Sequence, residues 1–435
     1  MSNLQDNDEP GSLRHAIDAA IPKSTITFSA SLRGTILLTS GDLAIAKDLI
    51  IRGPGKGLLS ISSGTSGHII RVIQGVTVTI FGLTFKDSNN STSVTGFIDN
   101  QGTLTLSNST VSGNTASRSG GTYDTHGTLT LSNSSGGGGI SNFGTLTLSN
   151  STISDNWAIG GGGIYNTGTL TLNNSTVSGN NTTNGSGGGI SNFGTLTLSN
   201  STVSDNTASN GGGIDHEGTS TTITTTTNMN IINSTISDNK ASEVGGGILI
   251  QSSIQSINPS AIVEGLTQAN LTFSTIYGNT AYRGGDIAIE DLAFPPNGGI
   301  GKPSKQVSQV KIRNSIVAGD PAHLDSDIVG MLTSYGYNLF QDDSGATFDP
   351  ATRTQHGTDK ILSVNDLAKL FASPVRLQDN GGSTRTYALA PGSPALDQIP
   401  LADCLINGIT TDQRGVKRPQ GAKCDIGAYE YVAAG

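Results

Sequence analysis

The chain has 435 residues, enough for two or three globular domains, yet it carries 59 glycines, 13% charged, 34% hydrophobic and 5% aromatic residues. So little charge cannot keep a linker solvated, and so few large apolar side chains exclude membrane spans and a thick core. With 24 basic against 33 acidic residues and a net charge of −9, nucleic acid is an unsuitable partner.

The N-terminal stretch SNLQDNDEPGS has neither a charged leader nor an apolar run, so the expectation is an exported protein whose secretory signal has been removed. In SLRHAIDAAIP, Leu13, Ala16, Ile17, Ala20 and Ile21 recur at helical spacing, Ser12 suits the N-cap and Pro22 the stop. The spacing predicts a helix over 12–21 that lies as a lid on the first strands. From Ile26 to Phe85 come strand-like runs such as TITF, TILL, DLIIRG and VTVTIFGLTF.

Repetition then takes over. GTLTLSN begins at Gly102, Gly127, Gly144, Gly168 and Gly194; S-T-[IV]-S-[GD]-N ends at Asn114, Asn156, Asn180, Asn206 and Asn239, with STIYGN ending at Asn279. GGGI ends at Ile140, Ile164, Ile190, Ile214 and Ile248. Within TLTL, Leu104 and Leu106 point one way and Thr103 and Thr105 the other. A unit of three short strands cannot bury its own apolar face, but stacked copies can. The pattern predicts an all-β, right-handed parallel β-helix, closed by the N-terminal capping helix and a C-terminal capping module. The Asn ending S-T-V-S-G-N reads equally as a turn former or as one rung of an amide ladder. Residues 118–135, 217–228, 251–268 and 290–308 break the pattern and read as loops leaving the wall. The expected division is 1–24 cap, 25–340 β-helix, 341–375 connection and 376–435 C-terminal module.

Departures from the repeat are where function is sought, since stacking alone is satisfied by the consensus. Asp215, His216 and Glu217 replace SNF or YNT of sister units; their atoms suit calcium or acid-base work, although consecutive residues alternate faces and cannot all converge. Asp155, Asp205 and Asp238 share the S-D-N position, so Asp205 and Asp238 become neighbours if their units stack; the plainer reading is a solvated turn. Trp157 takes a loop position held by Thr115, Asn181 and Thr207 in sister units, and Tyr165 follows; such aromatics suit sugar stacking or loop packing. Between Gly102 and Asn239 there is one arginine, Arg118, and no lysine, a poor supply of bases for a polysaccharide lyase. The Thr103/Thr105, Thr145/Thr147, Thr169/Thr171 and Thr195/Thr197 pairs resemble the arrays of ice-binding β-solenoids, broken at Asn228 and Asn230. No cofactor is required, and calcium is allowed.

Cys404 and Cys424 lie near each other without zinc-type spacing, which predicts one local disulfide and an oxidising compartment. Asp412, Arg414, Arg418 and Asp425 read as ion pairs tying the tail together.

The GGGI and NFGTLTLSNSTVSGN phrases resemble the repeats of polymorphic outer-membrane proteins and of pectin-lyase-like right-handed β-helices, over roughly residues 25–340. EPGSLRHAIDAA is similar to the opening segment of bacterial surface β-helix proteins, with Gly11 where that pattern has cysteine. LQDNGGSTRTYALAPGSPALD and TTDQRGVKRPQGAKCDIGAYEY, within 376–431, resemble the choice-of-anchor domain of secreted bacterial proteins. These resemblances imply a cell-surface or extracellular protein, structural or adhesive, that contacts polysaccharide. The alternative they imply is a polysaccharide lyase or glycoside hydrolase.

Overall fold

The computed structural model describes residues 1–64, 67–90, 97–116, 138–220, 226–254, 267–293, 308–319, 326–350 and 357–433. The expected loop at 118–135, and residues 221–225, 255–266 and 294–307 of the other three, lie outside the described residues; 217–220, 227–228, 251–254, 267–268, 290–293 and 308, expected as loop, are instead strand, paired in register with neighbouring turns. The chain forms two compact units, Met1–Gly194 with Asn206–Ala208, and Thr195–Asp205 with Ser209–Gly435. In each, parallel strands stack in register, and the fold is a parallel β-helix.

In the first unit the helix is shorter than its apolar spacing suggests, Leu13–Ala19, capped by the Ser12 side chain, which accepts from His15 N–H. Leu13 and Ile17 are buried beneath it, whereas Ile21 is 74% exposed, because the helix stops before that residue can turn inward. Asp6 fastens this cap: its carboxylate accepts from Arg14 and from the Thr39 and Ser40 N–H groups.

Each turn contributes three strands, and from Asn89–Asn90 onward the turns of this unit add a fourth of two residues. The first wall includes Ile98–Asn100, Ile140–Asn142, Ile164–Asn166 and Ile190–Asn192. The second includes Thr77–Phe81, Thr103–Ser107, Thr145–Ser149 and Thr169–Asn173, and the third Thr110–Ser112, Thr152–Ser154 and Thr176–Ser178. The fourth includes Thr115–Ala116, Trp157–Ala158 and Asn181–Thr182. As the alternation requires, Leu104, Leu106, Leu146, Leu148, Leu170 and Leu172 are fully buried while the threonines between them reach solvent.

The Asn question resolves in favour of the ladder. Asn114 Nδ2 donates to Asn156 Oδ1 (2.9 Å), Asn156 to Asn180 (2.9 Å) and Asn180 to Asn206 (3.0 Å), and each acceptor also takes the backbone N–H of the residue before it in the ladder. A second ladder, missed in the sequence, runs through Asn100, Asn142, Asn166 and Asn192. The residue before each Asn of the first ladder turns the corner with positive φ, which Asp and Gly tolerate: Gly113, Asp155 and Gly179. Asp and Gly interlock here. A Cβ on Gly113 would lie 2.9 Å from Asp87 Oδ1, and one on Gly179 2.7 Å from Asp155 Oδ1.

The second unit continues the pattern with longer strands: Ile214–Ser220, Ile248–Ile254 and Ile287–Ala293 in its first wall, and Thr195–Ser199, Thr227–Ile232, Thr267–Thr272 and Ser308–Arg313 in its second. Its third wall is Thr202–Ser204, Thr235–Ser237, Thr275–Tyr277 and Ile316–Ala318. The C-terminal residues lie along this third wall. Gln413 donates to Thr202 Oγ1 and accepts from Thr235 Oγ1, Ala428 N–H donates to Thr275 Oγ1, and Gly427 N–H to Asn314 O. Thr202, Thr235 and Thr275 are accordingly at most 2% exposed, whereas Thr110, Thr152 and Thr176 of the same S-T phrase are half-buried.

Cys404 and Cys424 form the expected disulfide within a core that also holds Phe273, Ile316, Leu339 and Tyr387. The expected charge cluster is partly re-paired. Arg414 binds Asp412, but Arg418 pairs with Glu430 at 2.8 Å, a partner absent from the sequence reading. The Asp425 carboxylate instead accepts the backbone N–H groups of Asp397 and Tyr431. Arg418 lies over the Phe273 ring, 4.3 Å from its centroid.

Candidate functional site

The expected site residues fall in both units. In the first, Trp157 stands in a strand rather than a loop, between Thr115 and Asn181, and is half-buried. Tyr165 is 6% exposed, packed between Phe143 (6.3 Å) and Phe193 (5.5 Å), because the positive-φ Gly161 folds the preceding chain over it. A ring so placed packs and cannot stack on a sugar.

In the second unit, Asp205 and Asp238 do become neighbours: Asp205 N–H donates to Ser237 O, and the Asp205 charge raises the Asp238 pKa. Desolvation is the larger cause of that rise, and the Tyr387 hydroxyl, donating to Asp238 Oδ2 at 2.6 Å, opposes it. Asp215 and Glu217 share one face of their strand and His216 the other. Asp215 is 1% exposed, and burial, with the Glu217 charge second, holds its carboxyl well above the usual range. Glu217 accepts from Gln251 and Ser253. His216 is fully buried, with Nε2 3.2 Å from Gln268 O. Among the described residues no three His, Cys, Asp or Glu side chains converge as metal ligands do.

The groove that does form was not anticipated. On the outward face of the second wall of this unit, the Thr195/Thr197 pair is replaced turn by turn: Thr195 is followed in register by Asn228, Gln268 and Gln309, and Thr197 by Asn230, Asn270 and Lys311. The next outward column is Ser199, Ile232, Thr272 and Arg313. Asn230, Ile232, Asn270, Thr272, Lys311 and Arg313 floor a cavity of ≈ 330 Å³, with Tyr335 at one end and Asn407 and Ile409 of the C-terminal residues as a rim. Asn270 Nδ2 donates to Asn230 Oδ1 (3.0 Å). Arg313 reaches Asp403 at 3.4 Å, while its Nε has no hydrogen-bond partner among the described residues.

Two adjacent cations, a row of amides and an exposed tyrosine can hold a hydroxyl-rich anion: amides exchange hydrogen bonds with hydroxyls, and guanidinium and ammonium meet a carboxylate. The signal in the sequence was available, since Asn230 and Lys311 depart from the Thr-x-Thr repeat and Arg313 from the serine that follows it. The rim, Asn407 and Ile409, carried no such signal.

No protein-family model and no curated protein matches the chain. Solved structures similar to it include the pectate lyase Pel9A, at 13% identity over 96% of this chain and 90% of that one, with a TM-score of 0.44. They also include the A-module of an Azotobacter vinelandii mannuronan C-5 epimerase, at 12% identity over 77% and 84%, with a TM-score of 0.41. A third is a PL6 alginate lyase in complex with a trisaccharide, at 12% identity over 88% of each chain, with a TM-score of 0.32.

Proposed function

We propose that this chain is an extracellular or cell-surface protein of structural or adhesive role that holds an acidic polysaccharide against the second wall of its second unit. The observation that carries this reading is the pairing of Lys311 and Arg313 in one cavity, with Arg313 Nε unpartnered among the described residues. Stacked strands about 4.8 Å apart repeat the amide columns at a spacing suited to successive sugar units laid along the wall. The Cys404–Cys424 disulfide supports an oxidising compartment. Among the described residues no helix is long and apolar enough to cross a membrane. Calcium is not required for this binding.

Calorimetric titration with polygalacturonate and with alginate tests the reading. Lys311→Ala with Arg313→Ala is expected to weaken binding on the order of tenfold to a hundredfold, from two lost charge-assisted hydrogen bonds. No binding by the parent chain, or unchanged binding by the variant, would discard it. The same two residues favour a second reading, a polysaccharide lyase, because they supply the basic side chains that the regular stretch lacks. Unsaturated sugar ends released from either polymer, and lost in the double variant, would establish that reading.

A further inference from the structure

A separate polar cluster lies in the first unit, on turns before the regular repeat. Asp42 precedes the strand Leu43–Ile45, and Ala44, Arg71 and Asp99 are in register on three successive turns of the first wall. Their neighbours Ile70, Val72 and Ile98 are buried, so Arg71 and Asp99 point outward, as Ser141 and Ser191 do at the same position of later turns. Arg71 NH2 meets Asp42 Oδ2 at 2.9 Å, but Arg71 Nε is 3.9 Å from Asp99 Oδ2, too long for a hydrogen bond. Gln101 Nε2 donates to that same Oδ2 at 3.1 Å. Asp99 Oδ1 is left with no hydrogen-bond partner among the described residues although Asp99 is only 5% exposed. Arg71 and Asp42 keep 43% and 25% of their side-chain surface open to solvent.

An unmatched buried acceptor is costly, and a repeat protein could have avoided it with the serine that sister turns use. A carboxylate acceptor beside guanidinium and carboxamide donors matches two adjacent hydroxyls of a sugar ring, one donating to the carboxylate and the other accepting from the donors. The charge balance selects against acids. Two carboxylates face one arginine, and His68, close enough to lower the Asp99 pKa, adds at most one more positive charge. We propose that Asp42, Arg71 and Asp99 form a second saccharide site, for a neutral sugar presenting adjacent hydroxyls, with Arg71 held to one side by its contact with Asp42. This site goes beyond the groove and takes a different class of glycan.

The test uses the whole chain and two probe sets: neutral hexasaccharides (cello-, manno-, xylo- and maltohexaose) and polygalacturonate, each followed by saturation-transfer NMR and calorimetry. Asp99→Ser and Arg71→Ser copy the residue of sister turns, which keeps the wall intact, and melting no lower than that of the parent confirms that it does. They are expected to weaken a neutral hexasaccharide on the order of tenfold each while leaving polygalacturonate unchanged; Lys311→Ala with Arg313→Ala is expected to do the reverse. The proposal falls if no neutral probe binds the parent chain, or if one binds equally to both serine variants. Failure of polygalacturonate alone to bind discards only the groove.

Discussion

Single side chains in this protein are read most clearly where they depart from the repeat. Asp215 replaces a serine or tyrosine of sister turns and is sealed from solvent, so folding favours its protonated form. Its contribution to stability is therefore complete below the unfolded value of 3.8 and is lost as pH rises through the higher folded value. Asp215→Asn keeps the shape without the ionisation. It is expected to stabilise the protein by about 1–3 kcal/mol near neutral pH and to change nothing at about pH 4. Melting temperature against pH, parent beside variant, checks this; parallel curves would show that Asp215 does not resist ionisation.

At the scale of the element, each Asn of the ladder serves its neighbours on both sides. Asn156 accepts from the backbone and side chain of Asn114 and donates to Asn180 Oδ1 and Val111 O. Asn156→Ala deletes all four bonds and strands buried groups on both sides, an expected loss of about 2–5 kcal/mol by urea denaturation. A loss below roughly 0.5 kcal/mol, the range of surface substitutions, would mean that water replaces the ladder. These elements were legible from sequence because stacking writes itself as periodicity: TLTL gave the buried leucines, and the recurrent Asn left the first ladder as one of two equal readings, which the structure decides. The second ladder hid in I-S-N and I-Y-N, whose Asn looks like an ordinary turn residue. The groove was half legible, through Asn230, and its rim was not, since Asn407 and Ile409 reach the same cavity as Lys311 only through tertiary packing. For Tyr165, which the sequence left between sugar stacking and packing, only the fold reveals the packed position, with Gly161 against it.

At the scale of the molecule, repetition is what the C-terminal residues exploit. Gln413 reads two successive S-T phrases, and Phe273 supplies an anchor where other turns place Asn233 or Asn314 at the same positive-φ corner. An aromatic residue in that conformation is strained, and Arg418 over its ring is what compensates. Phe273→Asn should relieve about 1 kcal/mol of strain but forfeit about 3–5 kcal/mol of packing. The expected result is earlier proteolytic release of the C-terminal residues together with a lower melting temperature; equal protease resistance would show that Phe273 is no anchor. The interlocking corners have a consequence of another kind. Asp155 leans over Gly179, and Asp238 over Gly278. Copying an aspartate turn alone sets aspartate over aspartate, as Asp205 and Asp238 already are, at an electrostatic cost, whereas copying it with a glycine turn preserves the alternation. Growth of such a gene by one turn is therefore cheapest when the copied turn carries glycine at the corner, as the successive Gly278 and Gly319 corners show, and an aspartate turn is copied at least cost together with a glycine turn.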